Sequence, residues 1–319
     1  MNSIPSVSSQ IDEKIIFKVI DKNFSSLAPH YYKLINNWMI GAYESFGNID
    51  KYIILIYIIN KDFIFFRKNG LIVDYDTFYK DKILEVDKIN ISDISKDLQI
   101  PKESVRRKVK ELEKANIIIK KGKKIFVDRT AFTLVQANLT LKNMSVLLCE
   151  FNKILKEEDI VKVAYQTTEI SDSIKKNFSF VWYQFYKFLF IFTNRWRKEV
   201  GDLETFCIGI IVLVNAAENK SFRIKDFSRT KYSSSIQGSD ERGVNAMSIS
   251  DITGIPRITV IRKLKYLIKR NILQINEKKL ITLNMSADEL GKVKELQDQN
   301  MISLGNFVNR VFNQIKVIL

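Results

Sequence analysis

Part of this chain occurs twice, and that constrains its fold more than any other feature. Laid over one another without a gap, residues 94–127 and 249–282 agree at 14 of 34 positions, at an offset of 155. The shared residues include Ile100/Ile255, Pro101/Pro256, Val105/Val260, Arg107/Arg262, Lys108/Lys263 and Leu112/Leu267. Asn116-Ile117 matches Asn271-Ile272, and Lys123-Lys124 matches Lys278-Lys279. The likeness runs on outside the block at nearly the same offset. Trp38 pairs with Trp196, Asn143-Met144 with Asn300-Met301, and Asn152-Lys153-Ile154 with Asn309-Arg310-Val311. A period near half the chain predicts a tandem duplication of one unit, not a solenoid of short repeats.

Within each copy the apolar spacing gives the order of elements. Val260, Leu264 and Leu267 fall at i, i+4 and i+7, one face of a helix, and Pro256 stands where a first helical residue loses no N–H bond. In the first copy residues 92–98 form a short helix with Ile91, Ile94 and Leu98 inward. A turn at Gln99-Ile100 follows, then a helix from Pro101 with Val105, Val109 and Leu112 inward. After Asn116 comes "IIIKKGKKIFV", two short strands around a lysine-rich turn, and "ILQINEKKLIT" repeats it.

The charge follows the same plan. The chain holds 51 Lys and Arg against 36 Asp and Glu, a net +15. Residues 101–125 carry ten basic and three acidic side chains, and residues 256–280 carry eight and one. Each window therefore nets +7, and the two hold +14 of the excess. Positive charge concentrated on two matched helices and hairpins is the footprint expected for a nucleic-acid backbone. The candidate DNA-binding residues of the first copy are Lys102, Glu103, Ser104, Arg106, Arg107, Lys110, Lys121, Lys123 and Lys124. Those of the second are Arg257, Ile258, Thr259, Arg262, Lys263, Lys265, Lys278 and Lys279. Arg107 and Arg262 suit a guanine edge; Glu103 accepts from a cytosine amino group where Ile258 meets only a thymine methyl. The lysines of the helices and hairpins suit phosphates.

Helix, turn, basic helix and basic hairpin form the plan that "DITGIPRITVIRKLKYLIKRNIL" carries, and this stretch resembles the recognition segment of bacterial winged-helix transcription regulators. The resemblance covers about 35 residues of each copy. Aromatic helices at 31–46 and 49–60, and at 181–196 and 203–214, precede the two blocks. Amphipathic helices follow them, one from about 134 to 156. The other begins at a capping box, Ser286-Ala287-Asp288-Glu289, and carries Leu290, Val293, Leu304, Val308, Val311 and Ile315. A winged helix between outer helices is similar to the plan of MarR-type regulators, which dimerise through those helices, and implies that the two copies pair inside one chain. Both copies depart from that plan by insertions of about 30 residues, at 61–90 and 215–246. The first, "FIFFRKNGLIVDY", reads as a hairpin turning at Asn69-Gly70. The second ends in a loop, "SRTKYSSSIQGSDERG".

The expected fold is mainly α with small β wings: two tandemly duplicated winged helix–turn–helix units forming an intrachain pseudo-dimer. The expected divisions are a tail at 1–23, a unit at 24–160, a linker at 161–180 and a unit at 181–319. The expected function is a sequence-specific transcription regulator whose partner is double-stranded DNA. Two alternatives stand beside it: a plasmid-type replication initiator binding tandem direct repeats, and a chromosome-associated adaptor using winged helices to hold proteins. Ile261 and Ile268 stand where the first copy has Arg106 and Glu113, which widens the apolar side of the second helix and leaves a homodimer open.

Other classes find little support. One histidine, His30, and two distant cysteines, Cys149 and Cys207, supply neither a metal-ligand set nor a Ser-His-Asp or Cys-His arrangement. "GSDERG" (238–243) begins like a phosphate loop, but Val244-Asn245 follow in place of Lys-Ser/Thr. No enzyme, cofactor or metal is therefore expected. His30 reads as a packing residue, and both cysteines read as buried thiols of a reducing compartment. The N-terminus lacks a basic-then-apolar signal, and the runs 52–59 and 206–217 fall short of the ~20 apolar residues of a spanning helix. A soluble cytoplasmic protein with no membrane partner is expected. "FSFVWYQFYKFLFIF" reads as a pairing-helix core, with a ligand pocket between aromatic helices as the other reading.

Overall fold

The computed structural model describes residues 10–87, 89–128, 137–217, 228–229, 231–232, 243–284 and 287–316, with backbone alone at 287–294 and 316. It is mainly helical, with two small antiparallel sheets. In chain order the elements begin with α1 (Glu13–Lys22), α2 (Phe24–Phe46), α3 (Ile49–Lys68), α4 (Tyr75–Tyr79), β1 (Ile83–Asp87), α5 (Ile91–Leu98) and α6 (Lys102–Lys114). Next come β2 (Ile118–Lys121), β3 (Lys124–Asp128), α7 (Ala137–Glu157), α8 (Thr167–Lys176), α9 (Phe178–Val200) and α10 (Leu203–Ala217). The chain continues through α11 (Ala246–Thr253), α12 (Arg257–Lys269), β4 (Leu273–Ile275), β5 (Ile281–Leu283) and α13 (Ala287–Lys316).

The same local devices set the long helices in both halves. Asn23 separates α1 from α2, and Asn177 separates α8 from α9. Gly47 turns the chain out of α2 at φ 62°, and Gly201 out of α9 at φ 87°, conformations that a Cβ resists. The next residue caps the following helix: Asn48 Oδ1 accepts from the Lys51 N–H at 3.1 Å, and Asp202 Oδ1 from the Thr205 N–H at 2.7 Å.

Packing joins the halves crosswise. α2 lies on α7, and α9 on α13; α2 also packs on α10, and α9 on α3. The short helices are exchanged, α1 onto α13 and α8 onto α7. Asparagines hold both exchanges. Asn313 Oδ1 accepts from the Ile11 N–H and Asn309 Nδ2 donates to the Ile11 carbonyl, each at 2.9 Å. Asn152 accepts from the Tyr165 N–H at 2.6 Å and donates to the Val163 carbonyl at 3.2 Å. Phe63 of α3 meets Phe178 and Tyr186 of α9 at 6.0 and 5.8 Å, and Phe151 of α7 meets Phe312 of α13 at 6.0 Å. One aromatic core therefore serves both halves.

The first sheet has the order β1-β3-β2, with Leu84 opposite Val127 and Val86 opposite Ile125, all four buried. The second sheet pairs β4 with β5, and a single bridge, Val244 to Ile281, lies beside it.

Several expectations are corrected. The stretch 61–90 is not a hairpin: α3 runs on to Lys68 because Phe63 and Phe66 continue its inner face. Asn69-Gly70 then ends the helix, with the Gly70 N–H on the Arg67 carbonyl and the Leu71 N–H on the Phe66 carbonyl. The tail expected at 1–23 contains α1, and the linker expected at 161–180 contains α8 and the start of α9. Pro101 and Pro256 sit one residue earlier than expected, as N-caps with ψ 135° and 134°. The loop residues 233–242, most of "GSDERG", Leu134, and the capping residue Ser286 with the side chains through Val293 lie outside the described residues. No single helix among the described residues is long and apolar enough to cross a membrane.

Candidate nucleic-acid interface

Two blocks, α5-α6-β2-β3 and α11-α12-β4-β5, present the candidate residues. Each block is built from matched local bonds. Gln99 (φ 52°) and Gly254 (φ 68°) make the turn between the helices. Ser95 Oγ and Ser250 Oγ clamp that turn, donating to the Ile100 and Ile255 carbonyls at 2.7 Å. Ile100 and Ile255 are buried beneath it. At the far end Asn116 (φ 55°) and Asn271 (φ 56°) close the second helix, and the Ile117 and Ile272 N–H groups donate to the Leu112 and Leu267 carbonyls at 3.0 Å. The inner faces are Val105, Val109 and Leu112, and Val260, Leu264 and Leu267.

A lysine belongs to each inner face. Lys263 is buried, and its ammonium donates to both Asp202 oxygens at 2.6 Å and to Thr205 Oγ1 at 3.1 Å. Lys108, also buried, donates to Asn48 Oδ1 at 2.6 Å. Each lysine thus ties its basic helix to the cap of the helix beneath it. Lys263 is therefore turned inward onto Asp202, away from the outward face expected of it. Burial holds the Lys108 ammonium below its ordinary pKa, against Asp50 and Glu204, which raise it. At Asp202 burial pushes the carboxyl up, but the bonds from Lys263 and Thr205 outweigh it and leave the pKa lowered.

The remaining candidates face outward. Lys102, Glu103, Arg106, Arg107, Lys110, Lys121, Lys123 and Lys124 are exposed, as are Arg257, Ile258, Arg262, Lys265, Lys278 and Lys279; Ser104 and Thr259 are half-buried. Some of this charge is already engaged. Glu103 pairs with Arg106 at 2.5 Å, and Glu111 lies 3.9 Å from Arg107. Lys124 pairs with Glu85 at 3.0 Å and Asp87 at 3.1 Å, both on β1, a strand absent from the sequence expectation. Lys121 lies over the Phe126 ring at 5.7 Å. Such exposed pairs are screened by solvent and yield readily to a phosphate.

Sequence reasoning also missed the bonds that fix one block against the other half. Arg197 of α9 donates to Asp50 Oδ1 at 2.7 Å, to the Leu98 carbonyl at 2.8 Å and to Asn194 Oδ1 at 3.0 Å. Asn194 donates to the Asp97 carbonyl at 2.9 Å. Glu204 accepts from Asn48 Nδ2 at 2.9 Å and from the Ile49 N–H at 3.1 Å. A usable signal was present: Gly47-Asn48 and Gly201-Asp202 stand 154 residues apart, one short of the 155 that separates the two blocks, just ahead of two apolar helices.

The other candidate chemistry is packed away. Cys207 is fully buried, its thiol pushed up to about 12 by burial and by Glu204. Burial holds half-buried His30 below its ordinary value. The space among Trp38, Tyr52, Tyr79, Thr140, Trp182 and Tyr186 has room for about one water molecule, too little for an effector. Comparison with family models, with curated proteins and with solved structures finds no match to this chain.

Proposed function

We propose that this chain is a sequence-specific, double-stranded DNA-binding transcription regulator of the cytoplasm. In this reading it is built from two winged helix–turn–helix units of common origin that pair within one chain. One observation carries the reading. Of the 14 identities between the blocks, seven are exposed in both. Pro101/Pro256 and Asn116/Asn271 have backbone duties as caps. The other five are Arg107/Arg262, Lys110/Lys265, Lys114/Lys269, Lys123/Lys278 and Lys124/Lys279. None of these positions is buried, and the ion pairs that Arg107 and Lys124 make are exposed, yet each keeps its positive charge. Two helices entering successive major grooves, with hairpins on the flanking phosphates, would use all five.

The crosswise packing, α2 on α10 and α9 on α3, relates the blocks reciprocally and favours inverted half-sites. A replication initiator on an array of direct repeats is the second reading, and selection from random duplexes separates the two by the arrangement returned. An adaptor that binds protein would favour neutral faces over five matched pairs of exposed cations. The direct test is duplex binding measured against salt. Neutralising five or more phosphates gives a slope of log K on log salt of about −5 or steeper. A flat response overturns the proposal.

A further inference from the structure

The outward faces of the two blocks are unlike. In the second block Met247, Ile252, Ile258 and Ile261 are exposed, Ile258 to 85%. The residues at the matching positions of the first block are Ser92, Asp97, Glu103 and Arg106. Ile258 and Ile261 lie one turn apart on α12, and neighbouring exposed apolar side chains of this kind mark an interaction surface. On α12, Ile258, Ile261, Arg262 and Lys265 fall at i, i+3, i+4 and i+7, so one strip of the helix presents methyl groups and cations together. α12 holds no acidic residue, and its one ion pair among the described residues is the inward one of Lys263. α6 by contrast carries Glu103, Glu111 and Glu113, the first two beside its arginines.

We infer that the two helices take unlike half-sites and that the half under α12 is rich in thymine. The thymine 5-methyl is the apolar feature of the major groove, and phosphates rim that groove on both sides. A strip of isoleucines interleaved with arginine and lysine matches both at once. The polar, partly self-paired face of α6 matches a half-site read by hydrogen bonds. This inference rests on the DNA-binding reading above and names what its second helix recognises.

The test is a duplex selected by the intact protein, then remade with deoxyuridine for thymine in one half or the other. That change removes the methyl and leaves base pairing intact. Binding should weaken about fourfold per methyl lost, the equivalent of one buried CH₂ group, and in one half only. Ile258→Ala should abolish the sensitivity, and at 85% exposure its loss leaves the fold untouched. Specific binding that ignores deoxyuridine, or weakens equally in both halves, overturns the inference. So does an Ile258→Ala protein that loses self-association in sedimentation while keeping full DNA affinity, because the strip then belongs to a second chain. A protein with no sequence-specific duplex binding at all fails earlier, and overturns the proposed function instead.

Discussion

Arg197→Ala removes the cross-link between α9 and the first block, and its cost follows from the geometry. The guanidinium spans the Asp50 carboxylate and the Leu98 carbonyl, at 2.7 and 2.8 Å. The paired side chains are 10% and 18% exposed, so neither end is well solvated. Deleting one partner of a buried pair costs about 3–5 kcal/mol, because the other charge stays behind unpaired. Water reaches Asp50 in part, which places this case near 3 kcal/mol, with the orphaned Leu98 carbonyl inside that figure. Arg197→Lys keeps a charge for Asp50 but lacks the fork that reaches both acceptors, and should cost about half as much. Urea unfolding of the three proteins at neutral pH reads these differences directly. A second readout tests position. With Arg197 gone the first block loses its charged tie to α9 and keeps the Asn194 bond to the Asp97 carbonyl, so on the DNA-binding reading duplexes with half-site spacing altered by a base pair should compete better than they do for the parent. An Arg197→Ala protein within ~0.5 kcal/mol of the parent, with unchanged spacing preference, refutes the reasoning.

Lys263→Met and Lys108→Met should each destabilise by about 1–2 kcal/mol while leaving the DNA affinity of the folded protein unchanged; Arg262→Ala should do the reverse. Asn313→Ala removes bonds to both the N–H and the carbonyl of Ile11 and should expose α1 to protease before the rest of the chain unfolds. Acid titration should show two opposed effects. Burial first, then neighbouring carboxylates, raise the Glu204 pKa above 4.5, so its ionised form costs stability at neutral pH, and that cost is relieved as pH falls through the raised value. Asp202 has a lowered pKa, so its contribution is intact above 3.8 and is lost as pH falls through the depressed value. Glu204→Gln should erase the first effect and keep the second, as followed by unfolding midpoints across the acid range.

How much was legible in the sequence depended on where each element finds its partners. The two blocks were legible because their signals are local: an apolar stripe at helical spacing, a proline cap, an asparagine stop and a hairpin turn. β1 was not, since "ILEVD" pairs with a strand about forty residues later and its short alternation says little alone. α1 and α8 are ten residues each, too short to persist without α13 and α7, so their evidence lies on other helices. Asn69-Gly70 misled for a physical reason, because a hairpin turn and a helix stop both ask for glycine at positive φ. Lys263 misled differently. It stands three residues after Val260 and one before Leu264, on the flank of the apolar stripe rather than opposite it, where a long side chain folds back to a half-buried carboxylate.

On the DNA-binding reading, unlike faces on a fixed frame orient the chain on its site. Two identical heads dock equally well either way round, whereas a polar α6 face and an apolar α12 face give the complex one direction. Reversing the chain would set Ile258 and Ile261 on hydrogen-bonding bases and Glu103 on thymine methyls. Two methyl contacts at about 0.8 kcal/mol each and one base contact at about 1 kcal/mol give roughly 2–3 kcal/mol, at least about a thirtyfold preference for one orientation. Cys149 and Cys207 are both buried, so a cysteine placed at exposed Lys278 is the accessible attachment point for a DNA-cleaving chelate. Lys278→Cys so labelled should cut one flank of the selected duplex and spare the other, and a label at Lys123→Cys should cut the opposite flank. Equal cleavage of both flanks from either label means that the heads read alike, and that the difference between Glu103 and Ile258 serves something other than the DNA.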